Sequence, residues 1–309
     1  MERMFEMKTI RYTHPELGTP QLGLLDGDHV YSLTEQVPTW TCPIPMWRAL
    51  QALEIRPAAV AERLRRGTPL SFTELASRRL LLPPVATPEV WASGVTYERS
   101  REARNAETQI KDSVYDRVYT AARPELFFKA TYERLVAPGQ PISLRSDSNW
   151  MVPEPELAIV VSANGELIGY TVGDDVSSRD IEGENPLYLP QAKVFSGSCS
   201  LGPAFLWSDG EEKPETWTIE LTIYRDDASV FSGQVPFSQF RRSFSELTSY
   251  LLRDNVILDG TVLMTGTGIV PPDDFTLLAG DVVEISIDPI GVLQNAVISP
   301  VPAKALATK

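Results

Sequence analysis

Histidine and cysteine are what this sequence has least of, with two of each in 309 residues. Both histidines, His14 and His29, lie in the first tenth of the chain. A Ser–His–Asp or Cys–His catalytic site would have to draw on that N-terminal piece, and a three-histidine zinc site is impossible. Cys42 and Cys199 allow one disulfide at most and no Cys-x-x-Cys pair, so a reduced, cytoplasmic protein is expected. Positive charge is also short. Twenty-eight bases against 41 acids leave a net charge of −13, and binding to phosphate backbones needs a cationic face, so nucleic acid is not an expected partner. No apolar run approaches the ~18 residues of a membrane span. The opening MERMFEMKTI has no apolar stretch ahead of its first acids, so neither a membrane nor a secretory route is expected. His-Glu-x-x-His, P-loop and Gly-x-Gly-x-x-Gly segments are missing as well. An enzyme built from this inventory must work with carboxylates, lysines or a metal.

The composition that remains, 43% hydrophobic and 22% charged, is that of a folded globular chain and excludes disordered and fibrous classes. The length suggests one large domain and one small. Three prolines close together in RRLLLPPVATP (78–88) mark a connector, giving a small domain over 1–82 and a larger one over 83–309. Residues 6–33 read as short strands, KTIRY, QLGLL and VYSL, around an Asp26-Gly27 turn. Two amphipathic helical stretches follow at about 45–54 and 58–66. Residues 97–122, free of Gly and Pro, read as one helix or two, with Ile110, Val114, Tyr115 and Val118 as an apolar stripe. Beyond residue 125 the chain is β-rich: LFFK, ELAIVV, ELIGYTV, TIELTIYR, TVLMT, VVEISI and GVLQNAVI. One helix interrupts them, opened by a Ser243/Glu246 capping box, with Phe244, Leu247 and Leu251 on one face.

The most informative stretch is MVPEPELAIVVSANGELIGYTVGDDVSSRD. Asn164-Gly165 between two apolar runs is a strong hairpin signal. A two-residue loop there pairs Ala163 with Glu166, so facing residues sum to 329. Carried down an unbroken ladder, Glu156 faces Gly173 and Glu154 faces Asp175. Strand side chains alternate, so Glu154, Glu156 and Asp175 share one face while Asp174 points away; a single bulge would exchange the two aspartates. Three converging carboxylates repel one another unless a cation intervenes. An all-oxygen set suits a hard divalent ion, Mg²⁺ before Mn²⁺ or Ca²⁺. The competing reading is three solvated acids at the open end of a hairpin.

These residues resemble the fumarylacetoacetate hydrolase superfamily, whose metal signature is a Glu-x-Glu on one strand and an Asp before a Val-Ser-x-Arg-Asp run. Here those are Glu154, Glu156 and Asp175 in DDVSSRD. The family's Lys nine residues before a Gly-Pro is matched by Lys193 and Gly202-Pro203, and its Thr-Gly-Thr by Thr265-Gly266-Thr267. The resemblance, over about residues 85–300, implies an α+β fold: a mixed β-roll catalytic domain with a smaller N-terminal α/β domain. It also implies a divalent metal and a homodimer or homotetramer. The family's hydrolases carry a His–Glu dyad after an Asn-Tyr. In the matching SGVTYERSRE, Ser100 stands at the histidine position. The runs RPELFFKAT, RSDSNWMVPEPELA, SSRDIEGENPLYLPQAK and DGTVLMTGTGIVP are similar instead to a branch of sugar-acid dehydratases acting on 2-keto-3-deoxy pentonates (arabinonate or xylonate). That branch implies loss of water to 2-oxoglutarate semialdehyde, a step of pentose catabolism, with a small 2-oxo sugar acid as the partner.

A 2-oxo acid chelates a metal through its carboxylate and C2 carbonyl, which acidifies C3–H and stabilises an enolate, so the reaction needs a metal and two proton-transfer groups but no histidine. The candidate base or proton shuttle is Glu125, where more distant members of the family carry an apolar residue; an ion pair with Arg123 or Lys129 competes. Lys193 is the candidate proton donor or carboxylate binder. Thr267, Ser93 and Glu182 are candidate substrate contacts, with a plain turn as the alternative for Thr267 and local hydrogen bonding or a solvated charge for the other two. Arg179 and Asp180 are expected to pair with each other or with neighbours behind the site. Cys199 reads as packed. The polar helix from Tyr97 is either a lid or a fixed surface helix. The rival functions are acylpyruvate hydrolysis or oxaloacetate decarboxylation on the same scaffold, or a non-catalytic module binding 2-oxo acids or Ca²⁺.

Overall fold

Alternation of small and branched apolar residues in PELAIVV produces a strand buried along its whole length, and the fold is arranged around it. The computed structural model describes residues 6–107 and 114–300. The longer strands are β1 (Lys8–Thr13), β2 (Pro20–Asp26), β3 (His29–Ser32), β4 (Glu89–Gly94), β5 (Glu125–Thr131), β6 (Pro155–Val161) and β7 (Leu167–Asp175). They continue with β8 (Cys199–Trp207), β9 (Thr218–Arg225), β10 (Ala228–Pro236), β11 (Thr261–Met264), β12 (Val282–Ile287) and β13 (Gly291–Ile298). One large mixed sheet runs β3-β2-β1-β8-β7-β6-β11-β4-β5, antiparallel along this path except for the β11–β4 pair, with the short strand Leu135–Val136 added parallel to β8. A second sheet runs β10-β9-β12-β13 and ends on the short strand Ile142–Ser143.

The two faces of β6 enter different cores. Leu157, Ile159 and Val161 pack with Ile219, Leu221 and Ile285 of the second sheet, whereas Ala158 and Val160 pack with Met7, Leu22, Ile44 and Met46. A strand sandwiched this way reads as continuous apolar sequence. Each fully buried aliphatic side chain contributes about 1.5–3 kcal/mol. This mixed architecture is the α+β, β-roll class expected from the sequence. The N-terminal strands continue the main sheet: β1 pairs with β8, Lys8 opposite Leu206 and Thr9 opposite Phe205.

Several local expectations are refined. The turn between β2 and β3 is Gly27-Asp28, one residue later than expected, because Asp26 pairs with His29. Of the one or two helices expected over 97–122, the described residues form two, Glu98–Glu107 and Val114–Thr120. Ile110 of the expected stripe lies outside the described residues. Half of the expected capping box forms. Ser243 accepts the Glu246 N–H at 3.1 Å, but the Glu246 carboxylate turns to Arg242, 2.5 Å away.

Candidate active site

The β6–β7 hairpin delivers its three acids by an indirect route. Pro155–Asp174, Glu156–Gly173 and each pair up to Val160–Gly169 sum to 329, as expected. At the tip, however, Val161 faces Leu167, and the Ser162 N–H donates to Glu166. The loop is therefore three residues, Ala163–Asn164–Gly165, with Gly165 in the left-handed region at φ +81°. Ile168, an extra residue in β7, restores the register. Beyond the ladder, the Asp175 N–H donates to the Glu154 carbonyl at 3.0 Å. Glu154, Glu156 and Asp175 are all buried and offer carboxylate oxygens within 4.8 Å of one another.

Three neighbouring elements bring the other residues. The parallel strands β11 and β4 end side by side, so the Thr265-Gly266-Thr267 turn lies next to Ser93-Gly94. Opposite Gly94, the first residue of β5 is Glu125. The helices Arg179–Glu184 and Leu189–Lys193 supply Glu182 and Lys193. All eight residues singled out from the sequence, Ser93, Glu125, Glu154, Glu156, Asp175, Glu182, Lys193 and Thr267, line one small cavity. Ser100 lines it too. Neither histidine does: His14 caps a turn through the Glu16 and Leu17 N–H groups, and His29 is exposed at the end of β3.

The acids are embedded in buried cations. Lys193 Nζ donates to Glu154 Oε2 (2.8 Å), Asp175 Oδ2 (3.2 Å) and Ser177 Oγ (2.6 Å). Arg179 Nη2 stands 3.0 Å from Glu154 Oε1. Asp180 turns instead to Ser148 Oγ, Ser178 Oγ and the Asn149 N–H. The residue sequence reasoning missed is Lys129. It was considered only as a partner for Glu125, yet it is fully buried and ion-paired with Asp175. It sits where β5 bulges between the Trp91–Phe128 and Val90–Ala130 pairs. The signal was present: Lys129 follows Glu125 and Phe127 at strand spacing in ELFFKAT.

Among the described residues no cationic group is bonded to Glu156; its Oε2 accepts the Gly266 N–H at 2.5 Å. Burial, then the charges of Asp175 and Glu154, hold its carboxyl well above the usual carboxylate range. Neighbouring Asp174 points off the site, accepts the Glu154 N–H at 3.1 Å, and is pushed up to about 8, chiefly by burial. A hard divalent cation fits this donor set, because it would offset the burial and mutual repulsion of these carboxylates. Ser93 Oγ is buried with no hydrogen-bond partner among the described residues, which leaves a hydroxyl for a ligand. Thr267 Oγ1 is engaged in its own turn by the Ile269 N–H at 3.2 Å. Cys199 is buried, with burial raising its thiol, and packs against Met264.

A β-roll whose central hairpin gathers Glu-x-Glu and an Asp beside a buried lysine defines a class. Residues 89–298 match the fumarylacetoacetate (FAA) hydrolase C-terminal family model, and the chain belongs to that family. Within it, the chain is 49% identical over 213 residues to the 2-dehydro-3-deoxy-D-arabinonate dehydratase of Saccharolobus solfataricus, covering 68% of this chain and 72% of that protein. It is 50% identical over 214 residues to a probable 2-keto-3-deoxyxylonate dehydratase of Haloferax volcanii, covering 69% and 73%. A solved structure of 2-keto-3-deoxy-D-arabinonate dehydratase complexed with magnesium and 2,5-dioxopentanoate superposes with a TM-score of 0.82 at 38% identity, over 96% of this chain and 100% of that one.

Proposed function

We propose that this chain is a Mg²⁺-dependent hydro-lyase that converts 2-keto-3-deoxy-D-arabinonate, the same compound as 2-keto-3-deoxy-D-xylonate, to 2,5-dioxopentanoate and water. The observation that carries the reading is a cavity lined by three clustered carboxylates, Lys193 and Glu125 but by no histidine. The two relatives near 50% identity are named for dehydration of this substrate class, and the similar solved structure holds magnesium with the product.

Glu154, Glu156 and Asp175 hold the cation, which supplies Lewis acidity toward a 2-oxo acid. Glu125 takes the proton from C3. Lys193, held among Glu154, Asp175 and Ser177, gives a proton to the C4 hydroxyl as it departs with the C–O bonding pair. The C3–C4 double bond that results lies next to the C5 alcohol carbon. Loss of a C5 proton and return of one to C3 move the double bond to C4–C5 as an enol, which loses its O–H proton and gains one at C4 to leave the aldehyde at C5. Ser93 Oγ, Glu182 and Thr267 contact the substrate. The same reading places the protein in the cytoplasm, in pentose catabolism, as a homodimer or homotetramer with a small N-terminal unit over 1–82.

Turnover of the pentonate with Mg²⁺ and with EDTA, followed by NMR in D₂O, tests this. Semialdehyde formed only with metal is expected. A Lys193 variant should still exchange C3 protons, and Glu125→Gln should not; the opposite pattern would reverse the two roles. Pyruvate from an acylpyruvate, with the pentonate untouched, would replace dehydration by hydrolysis.

A further inference from the structure

Each acid of the cluster has one oxygen already taken by a donor that cannot leave. Asp175 Oδ1 is ion-paired with Lys129. Glu154 Oε1 meets Arg179 Nη2 at 3.0 Å. Glu156 Oε2 accepts the Gly266 N–H at 2.5 Å. The second oxygens of Asp175 and Glu154, Oδ2 and Oε2, are turned to Lys193, which lines the cavity.

The donors are rigid for different reasons. An ammonium has three protons. Lys129 donates to the Lys193 carbonyl at 2.6 Å and the Val176 carbonyl at 3.1 Å and is ion-paired with Asp175. Its side chain is 0% exposed and does not line the cavity, so it has no room to swing. Arg179 is 1% exposed. Gly266 holds φ +94°, and a Cβ there would stand 2.1 Å from Thr96 Oγ1 and 2.7 Å from the Ser93 carbonyl, so only glycine presents this N–H from this place.

Resting on the metal-site reading above, we propose that Lys129, with Arg179 and the Gly266 N–H, makes the site selective for a small six-coordinate cation by leaving every carboxylate one oxygen to give. Large cations such as Ca²⁺ take six to eight oxygens and commonly use carboxylates through both; Mg²⁺ takes six, one from each. Three one-oxygen ligands would suit a six-coordinate ion and would leave room in its shell for a chelating substrate and water. The same three acids with both oxygens free would suit the larger ion. Lys129, which unlike Lys193 does not line the cavity, is thus a specificity residue for the metal.

Calorimetric titration of the metal-free protein with MgCl₂ and with CaCl₂ tests this without reference to turnover. Wild type should favour Mg²⁺. Lys129→Met removes a buried positive charge and strengthens both cations, so the ratio of the two affinities is the readout. It should move toward Ca²⁺ by about tenfold or more. Arg179→Gln, which frees an oxygen of a different carboxylate, should move the ratio the same way and decides the matter if Lys129→Met does not fold. A ratio unchanged within about twofold in a folded variant overturns the proposal, as does a wild type without preference. Wild type binding neither ion would instead overturn the metal-site reading.

Discussion

A Cβ on Gly94 would stand 2.1 Å from Oε2 of Glu125, its partner across the β4–β5 ladder. The glycine is therefore the space the carboxylate occupies. The obstructed atom is the end of a flexible side chain, so Gly94→Ala should move Glu125 and leave the backbone in place. Misplacing a reacting group by about 1 Å costs on the order of 10² in rate. We expect kcat to fall by about that factor while Mg²⁺ affinity holds, because the metal acids lie on other strands. Steady-state kinetics beside a metal titration check this; unchanged kcat would mean Glu125 is not at the reacting atoms.

Lys193 is ion-paired with both Glu154, at 2.8 Å, and Asp175, at 3.2 Å. Its side chain is 2% exposed, so solvent screens little of that interaction. Lys193→Met should cost the metal-free protein about 3–5 kcal/mol, as breaking a buried ion network does. Saturating Mg²⁺ should recover much of it, since the cation neutralises the same acids. Turnover should stay low in either case. Denaturant midpoints with and without Mg²⁺ give the answer, and a loss that metal does not relieve would count against the assignment.

The raised carboxyl of Glu156 fixes the sign of a pH effect. A carboxyl raised in the folded state favours folding fully below its ordinary value near 4.5, and that contribution is lost as pH climbs through the raised one. The metal-free protein should therefore lose stability from mildly acidic pH upward. Mg²⁺ takes the place of the proton, so the Tm gain it confers should widen with pH, and binding should release protons. Melts at two pH values and calorimetry in two buffers measure both; a gain independent of pH would remove Glu156 from the ligand set.

Ser243 makes a prediction away from the chemistry. It caps the helix Phe244–Leu252 through the Glu246 N–H, so Ser243→Ala should cost about 1 kcal/mol. Glu246→Gln should cost less, because its carboxylate is committed to Arg242. Arg242 also donates to the carbonyls of Val118 (3.0 Å) and Ala121 (2.8 Å), joining this helix to Val114–Thr120 and its C-terminal end. Thermal melts of the two variants should rank in that order.

The hairpin register was legible because alternation and the Asn164-Gly165 signal act locally, but it held at the metal end through two offsetting departures. A three-residue loop shifted the ladder by one, and the Ile168 bulge shifted it back. Without that bulge Asp174 would have faced Glu154's side. Lys129 escaped notice for a related reason. A bulge in β5 has no pattern in LFFK to announce it, and a lone lysine among aromatics reads as snorkelling to solvent. The pairing of β1 with β8 was also out of reach, since nothing local links Lys8 to a leucine almost two hundred residues on. What was legible at the site was chemistry: residue types too costly to bury without a purpose.

Strand β8 has an end in each half of the molecule. Cys199 pairs with Asp175, and Leu206, roughly 23 Å along at strand spacing, pairs with Lys8. It works as a stiff beam with the metal ligand clamped at one tip and the N-terminal strands at the other. A length change in the chain's first thirty residues therefore bears on the aspartate without touching the cavity. Insertions tolerated elsewhere on the surface should detune metal affinity when placed beside β1, and the melting of the two halves should register as a single event.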